Sequence, residues 1–378
     1  MQLWEGNRKL GIKRLGILVF YNERGVVPKY VKHLICELKS VTTALVVIVN
    51  GKMQKNEVQE LENMLVHVVV RENIGYEVKA YEEFFRNNWD EYKKEEYNEI
   101  IMCNDSFYGP FIPMKQLVDS FQDDVSDFWG INLADNCMLQ VLHSYFRVFR
   151  KRIIEDEILE RYFEENRKLI IDCEEDSVAI FEYGLFAELI DNGYVYSYYS
   201  FSGNKNIYSQ PYTLIKDNNF PIVKRKAFSE KLSDAQELKK MLEFVDKETN
   251  YDVELIKKDV NNRYGNAWEK TSRKKREMAT DSKRNEIMHF LESNFNIYIY
   301  GAGLKARKFW GVYKKYVYNF QGFIISDNQA MKQRELYGYP VFYFSEVDLR
   351  GKTVVVCVNE RYLLEIKGNL KNMTIFIV

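Results

Sequence analysis

Two polar segments, each directly after a short apolar run, hold residue types that could take part in chemistry. The first contains Arg71, Asn73 and Gly75. The second is the tripeptide Asn104-Asp105-Ser106. A carboxylate such as that of Asp105 can hold Mg²⁺ or Mn²⁺, which would act as a Lewis acid and neutralise charge on a diphosphate. Because an Asp after a strand can also cap the following turn, the sequence leaves both roles open for Asp105.

Glu182, His143 and Asp127 are the candidates for a group that accepts a proton. Glu182 stands near the start of an apolar helical stretch that ends in an Asp-Asn-Gly turn, and its carboxylate could serve as a general base. An acid at the start of a helix can instead only offset the helix dipole. His143 lies among apolar and aromatic residues, where it could be structural, and Asp127 precedes an aromatic pair. Both stay alternatives for the base.

Short apolar runs rich in β-branched residues predict the framework that positions these groups. They are residues 15–21, 44–50, 66–71 and 99–103, with helical patterns at 28–40, 55–64 and 77–92 between them. Strands and helices in alternation predict a parallel sheet built from βαβ units. Ligands of open α/β sheets bind at the carboxyl ends of the strands. Asn73 and Asp105 both follow such ends, so we expect them at the same edge of the sheet.

A second α/β pattern begins near residue 296. Gly301 and Gly303 follow an apolar run and open a helical pattern, and Asp327 ends the next apolar run. Glycines at a strand–helix turn, a helix N-terminus and an acid for ribose hydroxyls are the parts of a nucleotide site. The third glycine of the dinucleotide fingerprint is missing, since Ala306-Arg307 stands in its place. This region therefore predicts either a nucleotide-binding domain or a degenerate domain with a structural or docking role.

Composition and charge limit the classes of protein that the chain can belong to. The 378 residues carry a formal net charge of −1, which argues against a general nucleic-acid binder, because such proteins need uncompensated Lys and Arg. The five cysteines are scattered, which indicates reduced thiols in a cytoplasmic protein. The apolar run near the N-terminus, about six residues, is too short for a signal peptide or a membrane span. We expect at most peripheral contact with the inner face of the membrane.

Changes in composition along the chain predict three parts. Residues 1–230 form the first α/β domain, residues 231–292 are charged and helix-rich and form a helical connector, and residues 293–378 form a small Rossmann-like α/β domain.

Seven segments, taken in order, resemble the rhamnan synthesis protein F family. They are LGILVFY, RENIGYEVKAY, IIMCNDSFYGPFIPMKQL, DFWGI, LHSYFRVFR, EYGLFAELIDNGY and NFPIVKRKAF. The resemblance covers roughly residues 12–230. It implies a GT-A-like glycosyltransferase domain, a dTDP-rhamnose-type donor, a glycan or lipid-linked glycan acceptor, and a role in bacterial cell-surface polysaccharide assembly.

The resemblance also implies roles for residues. As in inverting GT-A transferases, an Asn-x-Gly turn precedes a strand that ends in an acid. Donor contacts are then expected from Arg71, Asn73, Gly75, Asn104, Asp105, Ser106 and Asp127. Asp105 would hold Mg²⁺ or Mn²⁺, Glu182 would be the catalytic base, and His143 would contact the acceptor or the diphosphate. The basic run Lys224-Arg225-Lys226 could hold diphosphate charge or form a solvated turn.

The chain departs from the family pattern in two places. Glu77-Val78-Lys79 stands where the family usually has an Asp-Phe-Gly pattern, and Asp105 is a single acid where a pair is usual. The first departure puts the identity of the donor in doubt, and the second weakens the expected metal site. We expect an inverting, metal-assisted transferase of a deoxyhexose, with rhamnose as the first choice. The alternative is a non-catalytic nucleotide-sugar-binding or scaffolding protein of a polysaccharide assembly complex.

Overall fold

The computed structural model describes most of the chain. It covers residues 12–135, 140–203, 205–229, 232–265, 281–331, 333–358 and 373–378, with the single positions 362, 363, 366 and 370.

The first part of the chain is built on one mixed sheet and a short two-stranded ribbon. Its strands are β1 (Arg14–Tyr21), β2 (Ala44–Asn50), β3 (His67–Arg71), β4 (Glu99–Asn104), β5 (Phe107–Tyr108), β6 (Phe128–Ala134), β7 (Val141–Leu142), β8 (Phe146–Arg150), β9 (Tyr196–Gly203) and β10 (Val223–Lys224). The sheet has the order β3-β2-β1-β4-β8-β6-β7, β9 pairs with β6, and β10 pairs with β5. β1 is parallel to β2 and to β4, whereas β8 is antiparallel to β4.

Helices cover both faces of this sheet. They are α1 (Lys29–Lys39), α2 (Lys55–Asn63), α3 (Tyr76–Asn87), α4 (Trp89–Lys93), α5 (Met114–Asp119), α6 (Lys151–Glu155), α7 (Ile158–Glu165), α8 (Glu174–Ser177), α9 (Leu185–Asp191) and α10 (Pro211–Asn218). Between α8 and α9 the chain continues as a π-helix, Val178–Gly184. A 3₁₀ turn follows β10 at Arg225–Phe228.

The apolar runs explain the strands at the centre of the sheet. The interior of β1 is buried at every position, as expected for a strand covered on both faces. The predicted helix after it is α1, whose buried side chains recur at helical spacing, from Tyr30 through Leu34 to Leu38. The strands, helices and parallel pairing expected for the first 105 residues are confirmed.

The rest of the described chain adds helices and a second sheet. The elements are α11 (Ala235–Glu248), α12 (Glu254–Tyr264), α13 (Asp281–Glu292), β11 (Ile297–Tyr300), α14 (Leu304–Tyr313), β12 (Gly322–Ile325), β13 (Glu335–Leu336), β14 (Tyr339–Tyr343), β15 (Thr353–Val356) and β16 (Thr374–Ile377), with 3₁₀ turns at Lys314–Tyr316 and Phe344–Glu346. The second sheet has the order β13-β14-β12-β11-β15-β16, and only its β13–β14 pair is antiparallel. The predicted strand–turn–helix–strand pattern after residue 296 is confirmed.

The predicted fold class is thus confirmed as mixed α/β with parallel sheets, consistent with a GT-A-like domain. The boundaries near 230 and 292 stay a prediction. α11 and α12, expected in the connector, bury Leu238, Val245 and Ile256 in the same core as α1. Phe181 of the first part and Phe309 of the last also share one apolar core. Within the described residues, no helix has the length and apolar content that crossing a bilayer requires.

Candidate functional site

A histidine and a glutamate meet at the carboxyl-end edge of the first sheet. His143 lies in the turn before β8, and Glu182 lies on the π-helix. His143 Nδ1 is 3.1 Å from Glu182 Oε2, which also accepts hydrogen bonds from the backbone N and the Oγ of Ser144, each at 3.1 Å. Because an ionised carboxylate only accepts, the proton of the neutral imidazole lies on Nδ1. Nε2 of His143 is then the nitrogen that can accept a proton.

The surroundings of Glu182 keep its carboxylate ionised. Burial alone would raise the pKa of Glu182, but the His143 ring, the Ser144 amide and the charge of Lys308 hold this pKa well below its usual range. A carboxylate with so low a pKa is a weak proton acceptor. It is well suited to orient an imidazole and to stabilise the imidazolium that forms when the ring takes up a proton.

A buried arginine ties together the two segments that carry this pair. Arg147, on β8, is 0% exposed. Its Nε donates to the Leu142 carbonyl at 3.0 Å, and its guanidinium donates to the carbonyls of Phe181, at 3.2 Å, and Glu182, at 2.7 Å. π-helices are rare and occur mostly as single turns within α-helices, often at functional sites, and here Arg147 donates to two of the carbonyls of this turn. Arg147 was not predicted, because sequence spacing does not indicate which carbonyls an arginine will reach.

Lys224 places a buried cation beside the pair. It lies on β10, is 7% exposed, and its Nζ donates to Ser106 Oγ at 2.6 Å. The same Nζ lies 4.2 Å from the centre of the Tyr145 ring, and the His143 ring is stacked on Tyr145 at 5.8 Å. Burial lowers the pKa of Lys224 to about 8, against the opposing effect of the Glu182 charge. The structure therefore brings together predicted residues Ser106, His143 and Glu182 around a lysine that the sequence left ambiguous.

Glu77, the first departure from the family pattern, lies at the beginning of α3 near this cluster. Burial raises its pKa, while the charge of Lys224 lowers it. Lys79, the other charged residue of the altered segment, points to the other side of α3, where its ammonium lies 3.5 Å from the Glu82 carboxylate. Of the two altered charges, Glu77 is thus the one that faces the cluster.

Asp105 forms an ion pair instead of standing open. Its Oδ2 accepts hydrogen bonds from Arg225 Nη1 at 2.5 Å and from the Tyr30 hydroxyl at 2.8 Å. Asn104 Oδ1 accepts from the backbone N of Ser106 at 3.1 Å and from its Oγ at 2.6 Å. Neither predicted role for Asp105, a metal ligand or a simple turn cap, included this pairing with Arg225.

The side chains around Asp105 do not fit a resident divalent cation. A guanidinium already neutralises the carboxylate, whereas Mg²⁺ and Mn²⁺ need several oxygen ligands. In the part of the chain that the structure describes, no three His, Cys, Asp or Glu side chains lie together as metal ligands. The expectation of Mg²⁺ or Mn²⁺ stays a prediction, and it would require Asp105 to leave Arg225.

Arg71 shapes the turn after β3. Its Nε and Nη2 each lie 2.7 Å from the carboxylate of Glu83, Nη1 donates to Asn50 Oδ1 at 2.6 Å, and Nη2 donates to the Ile74 carbonyl at 2.9 Å. Gly75 ends the turn at φ +74°, and a Cβ there would lie 2.1 Å from Lys79 Cγ. Only glycine adopts this backbone without strain.

Asn73, between these two residues, is exposed. The strand register puts Arg71 at the end of β3 and Asn50 at the end of β2, at the same edge of the sheet as Asp105. The structure therefore brings the predicted turn to the predicted edge, and Arg71 itself is bonded to protein groups there.

Asp127 lies at the opposite edge. It precedes β6, which runs in the same direction as β4, so its neighbour Phe128 is level with Phe149 near the beginning of β4. Its Oδ2 accepts from the Val195 amide at 2.8 Å and from Arg152 at 2.9 Å. The structure does not bring Asp127 together with the other predicted donor contacts.

The predicted nucleotide turn in the second sheet has the expected local form. Gly301 follows β11 and Gly303 precedes α14. Asp327 follows β12, and its Oδ1 accepts from the backbone N of Ser345 at 3.0 Å and from its Oγ at 2.8 Å. Nucleotide binding at these three residues stays a prediction.

The three residues of the basic run Lys224-Arg225-Lys226, at the end of β10, lie in different environments. Lys224 and Arg225 are directed inward, to Ser106 and to Asp105, whereas Lys226 forms an exposed pair with Glu174. The signal for Lys224 and Arg225 was present in the sequence, but it did not distinguish a buried cation from a solvated one.

Comparison with known families gives one match. The model of the family described as rhamnan synthesis protein F matches residues 45–296. That range begins within β2 and extends past α13, so it includes His143, Glu182 and Lys224. No curated protein matches the chain.

Similarity to solved structures is weak, as three examples show. The inositol-1-phosphate CTP transferase from T. maritima is 12% identical, with a TM-score of 0.30 over 51% of this chain and 87% of that chain. The 4-diphosphocytidyl-2C-methyl-D-erythritol synthase from Anaerococcus prevotii is 9% identical, with a TM-score of 0.31 over 50% and 89%. A cytidylyltransferase from Leptospira borgpetersenii is 16% identical, with a TM-score of 0.24 over 47% and 87%. At these values the similarity does not bear on activity.

Proposed function

The chain belongs to the rhamnan synthesis protein F family, and from this premise we propose that it is a glycosyltransferase of cell-surface polysaccharide synthesis. We propose that it transfers a deoxyhexose, rhamnose, from a dTDP-rhamnose-type donor to a glycan or lipid-linked glycan, with inversion. The observation that supports catalysis is the His143–Glu182 pair beside Lys224 and Ser106 at the carboxyl-end edge of the sheet. A cytoplasmic location at the inner face of the membrane is part of the same proposal.

His143 is the proposed general base. A single displacement with inversion needs one group to take the proton of the acceptor hydroxyl while that oxygen attacks the anomeric carbon. Glu182, our first choice from the sequence, has one oxygen occupied by three donors and a strongly lowered pKa. We therefore assign proton transfer to Nε2 of His143. Glu182 holds the ring by Nδ1 and stabilises its cationic form.

Lys224 is the proposed contact for the leaving diphosphate. Its ammonium is the main form at neutral pH, since its pKa is about 8. A cation next to the leaving group lowers the energy of the negative charge that develops there. The sugar of the donor would then lie on the His143 side of Lys224.

The test of this proposal is donor binding followed by donor turnover. The protein is titrated calorimetrically with dTDP-rhamnose and, as a comparison, with GDP-mannose. Release of dTDP is then followed in the absence of acceptor, where glycosyltransferases hydrolyse their donor slowly. Selective binding of dTDP-rhamnose and dTDP release that His143→Ala abolishes are the expected results. Selective binding of GDP-mannose would contradict the proposal that dTDP-rhamnose is the donor. Binding of neither compound would contradict the proposal of a nucleotide-sugar site.

The ion pair of Asp105 with Arg225 favours a second candidate function. If that carboxylate never binds a metal, the fold could retain donor binding without catalysis, as in a nucleotide-sugar-binding or scaffolding protein. Such a protein would bind dTDP-rhamnose and release no more dTDP than the His143→Ala variant does.

A further inference from the structure

The second α/β part of the chain packs against the helix that carries Glu182. Gly311 of α14 lies so close to the π-helix that a Cβ at this position would be 2.2 Å from the Ala179 carbonyl oxygen. Phe309 and Tyr313 of α14 belong to the same apolar core as Ile180 and Phe181. Glycine at position 311 thus permits a backbone-to-backbone contact that any side chain would push apart.

A buried ion pair crosses the same boundary. Asp176 lies just before the π-helix and is 2% exposed. Arg307 of α14 donates to its Oδ1, and the Tyr337 hydroxyl donates to the same oxygen at 2.8 Å. A buried carboxylate needs partners of this kind, because an unpaired buried charge is strongly destabilising. Both long-range partners of Asp176 come from the C-terminal part of the chain.

A third contact reaches the residue next to Glu182. Lys308 Nζ lies 3.3 Å from the Tyr183 hydroxyl and 4.6 Å from the centre of its ring. Lys308 therefore places a positive charge next to the turn of the π-helix that presents Glu182. The three residues of α14 that make these contacts, Arg307, Lys308 and Gly311, lie on one face of α14.

From these contacts we propose that the C-terminal α/β part is a positioning element for the Glu182 carboxylate. Arg147 bonds to the carbonyls of Phe181 and Glu182, and α14 holds the π-helix through Arg307, Lys308 and Gly311, so that Glu182 faces His143. The π-helix is a rare form that occurs mostly as a single turn within an α-helix, so contacts from neighbouring elements are what hold it here. The effect on catalysis rests on the proposed function, whereas the positioning itself rests only on these contacts.

The first test uses the full chain and needs no substrate. Gly311→Ala forces the Ala179 carbonyl away, so hydrogen exchange of the amides of residues 178–184, measured by mass spectrometry, should become faster. Exchange in β1, a central strand of the first sheet, should stay unchanged and serves as the internal control. Unchanged exchange at residues 178–184 in a folded Gly311→Ala protein would overturn the proposal.

The second test measures the pKa of Glu182, which depends on the charge of Lys308 and not only on how tightly α14 packs. The titration of the Glu182 carboxyl is followed by NMR of protein labelled with [δ-¹³C]glutamate, and its signal is assigned by its loss in Glu182→Gln. Lys308→Met removes the charge and keeps the apolar stem, so the pKa of Glu182 should rise. Lys305→Met is the matched control, because Lys305 lies on the same helix and donates to the Val358 carbonyl at 3.3 Å. An unchanged titration in Lys308→Met would also overturn the proposal.

Turnover of dTDP-rhamnose then connects positioning to catalysis. Gly311→Ala should lower kcat on the order of tenfold to a hundredfold with little change in KM, since small misplacements of catalytic groups have effects of this size. Arg307→Lys, which keeps the charge for Asp176, should retain more activity than Arg307→Met. If the wild-type protein turns over no dTDP-rhamnose, the proposed function fails, and the exchange and titration results still decide the positioning role.

Discussion

Nδ1 of His143 lies 3.1 Å from Oε2 of Glu182, although the two residues are 39 positions apart in the chain. β8 runs antiparallel to β4, which puts the beginning of β8 and the turn before it at the carboxyl-end edge of the sheet, where this turn meets the π-helix. His143, which lies between two strands in antiparallel pairs, thus reaches the same edge as the residues that follow the parallel strands β3 and β4.

The His143–Glu182 pair should behave as a unit in catalysis. We expect His143→Ala to lower kcat for dTDP release by roughly 10²–10⁴-fold, the range for loss of a general base. Glu182→Gln should cause a loss of similar kind, and the double variant little more, because groups that act together are not additive. Glu243→Gln, at an exposed site on α11, is the control. Additive losses would show that the two side chains act separately.

Donor affinity should depend on pH through Lys224. Burial lowers the pKa of this lysine to about 8, so its ammonium predominates at neutral pH and is lost as pH rises through about 8. Calorimetric affinity for dTDP-rhamnose should therefore fall over that interval. Lys224→Arg keeps a charge at all these pH values and should remove the fall, whereas Lys224→Met should bind weakly throughout. Equal affinity of Lys224→Met and wild type at pH 7 would argue against a diphosphate contact.

The Asp105–Arg225 pair should contribute to stability. Its side chains are mostly buried, and removing one partner leaves the other charge without compensation. We expect Arg225→Met to lower the free energy of unfolding in urea by roughly 3–5 kcal/mol. Lys239→Met breaks an exposed pair on α11 and should have an effect within about 1 kcal/mol. An equally small effect of Arg225→Met would mean that Arg225 and Asp105 are not paired in solution.

Metal removal decides how Asp105 is used. With its carboxylate bonded to Arg225, we expect EDTA to leave the affinity for dTDP-rhamnose unchanged and Mn²⁺ to add nothing. A loss of binding in EDTA that Mn²⁺ restores, and that Asp105→Ala abolishes, would instead establish the metal-assisted transfer expected from the resemblance. In that case Asp105 must exchange Arg225 for the ion.

The sequence was sufficient to predict the α/β framework and the edge at which polar groups gather. Continuous apolar runs such as β1 and the helical spacing in α1 depend on local patterns, and the carboxyl-end rule then locates the turn of Arg71 and the tripeptide with Asp105. Asp127 is a residue to which the carboxyl-end rule does not apply, because it precedes a strand. The residue before a strand lies at the opposite edge from the residue after it, and its aromatic neighbours do not reveal this.

Long-range pairing could not be predicted. Arg225 and Asp105 are 120 positions apart, and nothing in a basic run shows which of its members turns inward. The π-helix was equally hidden, because the apolar pattern around Glu182 is also compatible with an ordinary α-helix. The contacts that Arg147 and α14 make with it are tertiary, so no local pattern could indicate them.

α8, the π-helix and α9 form one continuous helical run from residue 174 to residue 191. A π-turn amounts to one residue more than an α-helical path would use. Deleting a single residue before Glu182, such as Ala179, would let this run become regular and would rotate the carboxylate by about 100° relative to its present direction. In evolutionary terms, an insertion and not a substitution would then have created the alignment with His143, and a homologue one residue shorter here would carry the same glutamate facing elsewhere.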